Sequence, residues 1–224
     1  DEQDFKILDD VFDELASLAL EDTTIVLKST ILPDKILDLN SKFPNLIYNP
    51  EFLREKHADE DFKNSEFIII GGDKKNSLKL KDFYQNFSLC LTPDENYIFT
   101  SIFNASISKY SINTFLASKV LFFNQIYSIF KANNLEKDYE EFTNIIAKDS
   151  RIGSSHMKVP GNDGRYGFGG ACFPKDTYAL IKYFKKKGIS FSLLEHAYEE
   201  NIKIRSKYRK RTDREVEQKI TFEE

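Results

Sequence analysis

Cysteine is scarce in this sequence of 224 residues, which contains only Cys90 and Cys172. The two occur in different surroundings and without the C-x-x-C spacing of many metal sites. This scarcity argues against a disulfide framework and against a structural zinc site. We therefore expect no metal site, and we expect the protein to work in a reducing compartment, the cytoplasm.

Long apolar runs and an excess of positive charge are missing as well. No apolar run reaches the roughly 20 residues that a membrane-spanning helix needs, and the acidic residues 1–4 do not resemble a signal peptide. The formal net charge is −4, which gives no general case for nucleic-acid binding. We therefore expect no membrane partner and no nucleic-acid partner.

The first part of the sequence alternates short β-branched stretches with amphipathic ones. Apolar residues at three- and four-residue spacing predict helices, and short apolar runs rich in β-branched residues predict buried strands. Strands that alternate with helices predict a parallel, doubly wound α/β sheet. The predicted strands are 23–29, 46–48, 67–70 and 96–100, and the predicted helices are 5–20, 34–42 and 75–87.

Glycine is absent before Gly71, and this absence bears on nucleotide binding. A dinucleotide-binding sheet of this class opens with a strand, a G-x-G-x-x-G turn and a helix. No such turn occurs in the sequence. Because the strands that are present match the second half of such a domain, we expect the sequence to begin within it.

Residues 101–133 contain neither glycine nor proline, and apolar residues recur there at helical spacing. They predict one helix of roughly 50 Å, which is long enough to span a molecule or to link two domains. Shorter helices are predicted over 138–148, 175–187 and 192–204. The stretch 206–224 is dense in both charges, which predicts a solvated helical extension or a frayed tail.

Lys109 and Asn113 are four residues apart in the predicted long helix, so they share one of its faces. Spacing alone favours a solvated polar pair on the outer face of the helix. The flanking residues Ile107, Tyr110 and Ile112 are apolar or aromatic, and they leave open whether that face points outward or inward.

The run from Gly164 to Asp176, GRYGFGGACFPKD, concentrates chemically useful residues. Its glycines let the backbone approach a ligand closely. Cys172 stands where the loop turns into a helix, because Pro174 suits a first helical turn. A thiol at a helix N-terminus with a lysine nearby is placed to become a thiolate. A lone cysteine is more often buried and inert, but the glycines, Lys175 and Asp176 favour a nucleophile here.

Five motifs follow one another along the chain: Lys28-Ser29-Thr30, the stretch from Asn49 to Glu55 (NPEFLRE), Lys109-x-x-x-Asn113, Arg151-Ile152-Gly153, and the stretch from Gly167 to Asp176. In their order and approximate separation they resemble the UDP-glucose 6-dehydrogenase family. The members of this family are NAD-dependent nucleotide-sugar dehydrogenases. Any one motif would be weak evidence, whereas five in register are strong evidence.

The resemblance implies an α/β fold in which a partial Rossmann-like parallel sheet is followed by a long central helix and an α-helical catalytic and dimerisation domain. Residues 1–100 would be the C-terminal half of the NAD-binding domain. Residues 101–205 would be the central helix and the helical domain, and 206–224 the charged extension. The resemblance also implies NAD as cofactor, a UDP-sugar as substrate and a homodimer formed through the helical domain.

The resemblance further implies a reaction in which the C6 alcohol of the sugar is oxidised to a carboxylate by two hydride transfers to NAD⁺. Cys172 would attack the C6 aldehyde to form a thiohemiacetal, and the thioester made from it would be hydrolysed. Lys109 and Asn113 would stabilise the oxyanion. We therefore expect Cys172 to lie within a few ångströms of Lys109, Asn113 and Asp176.

Other roles are carried over from the family in the same way. Asp176 and Thr30 would position a water for proton transfer, and Glu55 would act as the general base of hydrolysis. The cofactor would be contacted by Thr30, Glu55 and Lys175. The substrate would be bound by Glu51, Phe52, Leu53, Arg54, Arg151, Phe168, Gly169 and Gly170.

Two parts of the family pattern are absent, namely the G-x-G-x-x-G half and the C-terminal domain that holds UDP. One hypothesis is that the chain is the catalytic middle of such an enzyme, completed by a missing segment or a complementing chain. A second is a truncated, inactive homologue that acts as a dimerisation or nucleotide-sugar-binding module. A third is a thiol-dependent transferase or hydrolase that uses Cys172 and Lys109 without NAD. The intact set of catalytic residue types favours chemistry.

Overall fold

The chain divides into two compact units, Asp1–Lys109 and Tyr110–Glu224. This division falls inside a long helix, whereas the predicted boundary after residue 100 precedes that helix. The structure, a computed structural model, describes residues 5–18, 22–54, 57–217 and 219–222, without the side chain of Arg214.

The first unit contains a four-stranded sheet whose strands follow one another in chain order. The strands are β1 (Ile25–Leu27), β2 (Leu46–Tyr48), β3 (Ile68–Gly71) and β4 (Tyr97–Thr100). The pairs β1–β2 and β3–β4 are parallel, as predicted from the alternation of strands and helices.

The middle of this sheet departs from the prediction, because β2 and β3 pair antiparallel through the single partnership of Tyr48 with Gly71. A side chain also connects the two strands. The amide Nδ2 of Asn49, the residue after β2, donates to the carbonyl of Ile69 in β3 at 2.8 Å. The sheet is therefore mostly parallel rather than entirely so.

The helices of the first unit match the predicted ones apart from one addition. They are α1 (Lys6–Ala16), α2 (Pro33–Lys42), α3 (Ala58–Lys63) and α4 (Lys74–Phe87). Sequence periodicity did not predict α3, since its six residues are too few to show a period. Residues 19 and 20 of the predicted first helix lie outside the described residues.

The core of the first unit forms where α1 and α2 pack on the sheet. Ile31, Ile36, Leu46 and Tyr48 belong to this core and are fully buried. Burying an aliphatic side chain of this size contributes about 1.5–3 kcal/mol relative to leaving it exposed. This core fixes the ends of β1 and β2, which carry the first two sequence motifs.

The long helix is confirmed as α5 (Ile102–Ala132), with a length of about 46 Å at 1.5 Å per residue. The second unit adds α6 (Tyr139–Ile146), α7 (Phe173–Lys186), α8 (Ser192–Arg205) and α9 (Asp213–Glu217). Among the residues that the structure describes, no helix is both long enough and apolar enough to cross a membrane.

Most described residues of the charged stretch after α8 are exposed, and the short helix α9 lies within it, but three of its residues are buried. Glu215 is fully buried, and Ile220 and Phe222 are 7% and 9% exposed. The carboxylate of Glu215 forms an ion pair with Arg205 of α8. Composition suggested solvation, but the few apolar residues of this stretch and one buried charge pair hold it against the second unit.

Candidate active site

Cys172 lies at the junction between the glycine-rich loop and α7, as the sequence predicted. It is the N-cap residue of α7, with Pro174 in the first turn of the helix. Its carbonyl accepts the first helical hydrogen bond from the backbone N–H of Asp176 at 2.9 Å. The cysteine is exposed, whereas Cys90 is buried. A thiol in this position is open to a ligand and close to a helix N-terminus.

Asp176 forms the polar centre of this region within the second unit. Its side chain is 1% exposed, and both of its oxygens are paired. Asn113 of α5 donates to Oδ2 at 2.6 Å, and the ammonium of Lys175 donates to Oδ1. Asn113 itself is 6% exposed, so it faces inward, which is one of the two orientations that the sequence left open.

The glycine-rich loop is held by two buried asparagines. Asn124 accepts from the backbone N–H of Gly167 at 2.9 Å. Asn201 accepts from the N–H of Phe168 at 2.8 Å and donates to its carbonyl at 2.9 Å. The Phe168 side chain is 2% exposed and packs in the core of the second unit, so its predicted role in substrate binding stays a prediction.

Gly169 and Gly170 follow in the same loop, and they differ in their surroundings. A Cβ atom on Gly169 would overlap the guanidinium of Arg205 and lie 2.7 Å from Oε1 of Glu215. Gly170 has a φ of +77° and an open space where a Cβ would stand. Gly169 is therefore required by close packing, and Gly170 by its left-handed backbone.

In the first unit, Lys109 lies over the segment that carries the second motif. Its ammonium donates to the backbone carbonyl of Glu51 and lies 4.8 Å from the ring centre of Phe52. Lys109 is 6% exposed, so it too faces inward, the other orientation being the one that spacing alone favours. Leu53 is partly buried, and the Glu51 side chain is exposed beside it.

A buried polar network joins the ends of β1 and β2. Lys28 donates to Oδ1 of Asn49 at 3.0 Å and to the Tyr84 hydroxyl at 3.2 Å, and that hydroxyl donates to Asn49 at 2.6 Å. Burial lowers the pKa of Lys28 and raises the pKa of Tyr84 to about 12. Thr30 follows this network and is partly buried. Glu55 lies outside the described residues.

The two arginines predicted to bind substrate are both exposed and paired with neighbouring carboxylates. Arg54 forms a two-pronged pair with Asp61, which lowers the pKa of Asp61 to about 2 through hydrogen bonds from the Arg54 side chain and backbone. Arg151 pairs with Asp149 in the same way. Both arginines are exposed to solvent, which screens these ion pairs, so each guanidinium can exchange its partner.

Four residues around the glycine-rich loop carry buried polar contacts that sequence reasoning did not identify: Asn124, Asn201, Arg205 and Glu215. A signal for two of them exists on α8. Leu194, Asn201 and Arg205 recur at helical spacing on one buried face, so the two polar residues stand where apolar ones would be expected. Within the described ranges, no group of three or more His, Cys, Asp or Glu side chains could hold a metal ion.

Comparison with known proteins finds matches for both parts of the chain. A family model described as the UDP-glucose/GDP-mannose dehydrogenase family, NAD binding domain, matches residues 1–88. A second model, described as the central domain of the same family, matches residues 104–203. The two domains occur in this chain in the order NAD binding domain, then central domain.

Individual relatives support the same family assignment as the two family models. The UDP-glucose 6-dehydrogenase of Rickettsia bellii is 33% identical over 210 residues, which cover 89% of this chain and 45% of the relative. UDP-glucose 6-dehydrogenase TuaD of Bacillus subtilis is 36% identical over 162 residues, or 72% of this chain and 32% of the relative. A solved UDP-glucose dehydrogenase from Pyrobaculum islandicum, 28% identical, superposes with a TM-score of 0.65 over 80% of this chain and 41% of that chain.

This chain spans about half the length of the curated relatives that it matches over most of its length, such as the enzyme of R. bellii. The matched regions nevertheless contain all five sequence motifs and most of each unit of the structure. With two family models matched in order and relatives at this level of identity, the chain belongs to the UDP-glucose/GDP-mannose dehydrogenase family, whose members are NAD-dependent nucleotide-sugar dehydrogenases.

Proposed function

We propose that this chain carries the catalytic residues of a UDP-glucose 6-dehydrogenase, which converts the C6 alcohol of UDP-glucose into a carboxylate. The observation that carries the proposal is the buried bond between Asn113 and Asp176, 2.6 Å long, next to the exposed Cys172 at the start of α7. A buried carboxylate and amide beside an exposed thiol have no evident purpose in a module that serves only for dimerisation.

Cys172 would perform the covalent step on the C6 aldehyde. Its thiolate forms a C–S bond to the carbonyl carbon, and the electron pair of the C=O bond moves to oxygen. The resulting oxyanion needs donors. The amide nitrogen of Asn113 carries two hydrogens and gives one to Asp176, so the other is available to the oxyanion. Lys109 would supply the positive charge.

Hydrolysis of the thioester would complete the reaction. A water adds to the carbonyl carbon, the C–S bond breaks, and the Cys172 thiolate leaves. Glu55 would accept the proton of that water, and Asp176 with Thr30 would hold water for the proton transfers at C6. The preceding oxidation steps remove hydride from C6 and require a nicotinamide acceptor.

NAD fits the residues of this chain only in part. The phosphates of NAD are held in such folds by a glycine turn at a helix N-terminus. After β1 the chain instead runs through Lys28 and Thr30 into α2, which has Pro33 in its first turn, and the first glycine of the sequence is Gly71. The glycine turn is thus not among these residues, whereas the NAD binding domain model matches residues 1–88, and Thr30, Glu55 and Lys175 would contact the cofactor.

A homodimer is part of the same proposal. Phe115, Phe122 and Ile129 occur at intervals of seven residues along α5, and they are 68%, 58% and 60% exposed. A heptad interval places the three side chains on one stripe of the helix. An exposed apolar stripe of this kind fits pairing with the same helix of a second copy.

The proposal is tested by incubating the purified chain with UDP-glucose and NAD⁺ and following NADH by its absorbance. We expect two NADH and a carboxylate product per UDP-glucose from the wild type. Cys172→Ala should form no carboxylate, because without the thiol the reaction can go no further than the first oxidation, to the aldehyde. Carboxylate formation that persists in Cys172→Ala would exclude the covalent role of this thiol.

A second measurement addresses binding without turnover. Iodoacetamide labels exposed thiols, and UDP-glucose bound at Cys172 should slow the labelling of this residue. Buried Cys90 provides the internal reference for an intact first unit. Protection of Cys172 without any NADH formation would favour the inactive nucleotide-sugar-binding module over the enzyme.

A further inference from the structure

We propose that the segment from Tyr208 to Phe222, here called the latch segment, positions the glycine-rich loop and thereby Cys172. Glu215 is the central positioning residue of this segment. The inference deepens the proposed function, because it rests on the role of Cys172 given above. It concerns a part of the chain that lies beyond the central-domain match, which ends at residue 203.

A buried ion pair anchors the latch segment to α8. Arg205 and Glu215 pair through Nη2 and Oε1, and their side chains are 1% and 0% exposed. The second carboxylate oxygen of Glu215 accepts from the backbone N–H of Thr212 at 2.7 Å and pairs with Arg165 at 3.4 Å. The guanidinium of Arg205 also lies 5.4 Å from the ring centre of Phe222.

This ion pair is in direct contact with the loop that precedes Cys172. A Cβ on Gly169 would overlap Arg205 and lie 2.7 Å from Glu215, so the loop backbone lies against both charged groups. Gly169 is only three residues before Cys172. A displacement of the pair would therefore move the loop backbone at this point.

Two more contacts join the latch segment and α8 to the same loop. The hydroxyl of Tyr208 accepts from the backbone N–H of Tyr166 at 2.9 Å. Arg205 donates from Nη1 to Oδ2 of Asp163 at 2.8 Å. The loop is therefore held at 163, 166 and 169, on the approach to the reactive thiol.

Burying the charged side chains of Arg205 and Glu215 is energetically unfavourable as a means of anchoring the latch segment. Their presence therefore indicates that they position the loop. A buried ion pair often contributes less to stability than apolar side chains of the same volume. Arg205 in addition leaves its Nε atom without a hydrogen-bond partner in the part of the chain that the structure describes. Directional hydrogen bonds fix one geometry, which apolar contacts do not. In this protein they fix the geometry of the loop around Gly169.

The test compares Glu215→Gln with wild type by two probes of the loop that do not depend on turnover. Trypsin cleaves after Arg165, and cleavage at this bond should become roughly tenfold faster when the loop loosens. Alkylation of Cys172 should become severalfold slower, because the thiol loses its fixed place at the N-terminus of α7. Labelling of buried Cys90 should stay unchanged, which shows that the first unit, to which Cys90 belongs, is intact.

Two further variants complete the design. Val216→Ala alters an exposed neighbour of Glu215 and should behave as wild type. Asp163→Asn removes the other carboxylate bound to Arg205, which is more exposed than Glu215. This variant tests the proposal if Glu215→Gln does not fold. Glu215→Asp, which keeps the charge, should restore part of the wild-type values.

The outcomes separate positioning from mere stabilisation. The proposal stands if cleavage after Arg165 rises and Cys172 labelling falls while Cys90 stays protected. It is overturned if folded Glu215→Gln and Asp163→Asn match wild type in both probes, or if Cys90 labelling rises in step with every other change. Failure of the proposed enzyme function would appear separately, as carboxylate formation that does not require Cys172.

Discussion

Asn113 of α5 and Asp176 of α7 are joined by a hydrogen bond of 2.6 Å between residues 63 positions apart in the chain. Both side chains are buried in the second unit. The bond fixes the first turn of α7 to the long helix, and Cys172 is the cap of that turn. It therefore links a motif on the helix to the nucleophile proposed for the reaction.

We expect Asn113→Ala to lower the free energy of unfolding by about 1–3 kcal/mol, because a buried carboxylate loses a donor. NADH formation should fall as well, since the proposed oxyanion donor is removed. Urea unfolding and steady-state assays measure the two effects. Asn144→Ala on the exposed face of α6 should change neither quantity.

A swapped pair sharpens this prediction. In the double variant Asn113→Asp with Asp176→Asn, an amide can again donate to a carboxylate across the same distance. Stability should recover in part relative to the single variants, whereas NADH formation should not recover. Equal stability of the single and double variants would show that the bond itself contributes nothing.

Lys109→Met tests the proposed role of the Lys109 ammonium group in stabilising the oxyanion. The variant leaves the Glu51 carbonyl without this donor, so we expect a loss of about 1–3 kcal/mol in stability. Loss of the proposed oxyanion charge should lower kcat on the order of 100- to 1000-fold. Lys131→Met, an exposed position at the end of α5, is the matched control and should stay within about 0.5 kcal/mol of wild type.

Much of the fold could be predicted from the sequence because the relevant signals are local. The absence of glycine and proline from residues 101–133 predicted α5 to within one residue at each end. Pro174 and the glycines before it predicted the loop-to-helix junction at Cys172. Both predictions depend on backbone restrictions that act within a few residues.

The remaining features depend on contacts between distant parts of the chain. Whether Asn113 is buried or solvated is decided by Asp176, and spacing on one helix carries no information about that partner. The burial of Glu215 similarly depends on Arg205. The composition of the stretch 206–224 predicts that it is solvated. Only the contacts of Glu215 with distant residues show that this carboxylate is buried.

The acid stability of the protein should depend on Glu215. Burial, the largest influence, raises the pKa of this carboxyl, but the Thr212 N–H and the Arg205 guanidinium outweigh it and leave the pKa below its ordinary value. A lowered folded-state pKa stabilises the fold above the unfolded carboxyl pKa of about 4.3, and this contribution is lost as the pH falls below that value.

We therefore expect the difference in unfolding free energy between wild type and Glu215→Gln to be largest near neutral pH and to shrink as the pH falls from about 5 toward 3. Urea unfolding at a series of pH values measures it. Val216→Ala should follow the wild-type curve throughout. A difference that is constant or grows toward acid would contradict the lowered pKa.

The exposed stripe on α5 predicts the oligomeric state. Phe122→Glu places a charge in the middle of the proposed dimer contact, where it would be buried without a partner. We expect light scattering to report a dimer for wild type and a monomer for this variant. Phe87→Glu on α4, at an equally exposed aromatic side chain, should leave the mass unchanged. A monomeric wild type would exclude the contact.

Gly169 and Gly170 offer a matched pair of substitutions that separates packing from backbone conformation. In Gly170→Ala the new methyl group meets no atom within 4 Å, so the cost is that of a left-handed residue, roughly 1–2 kcal/mol. In Gly169→Ala the methyl group collides with Arg205 and approaches Glu215 to 2.7 Å. Because one or both buried charges must move, we expect the free energy of unfolding to fall by more than about 3 kcal/mol.

Urea unfolding of both variants measures the difference. The decisive result is which variant loses more unfolding free energy, since each adds one methyl group and the two positions are neighbours in one loop. A larger loss in Gly170→Ala than in Gly169→Ala would mean that the loop yields easily around the Arg205–Glu215 pair. In that case the ion pair could not fix the loop backbone, and the position of Cys172 would have to be set by α7 alone.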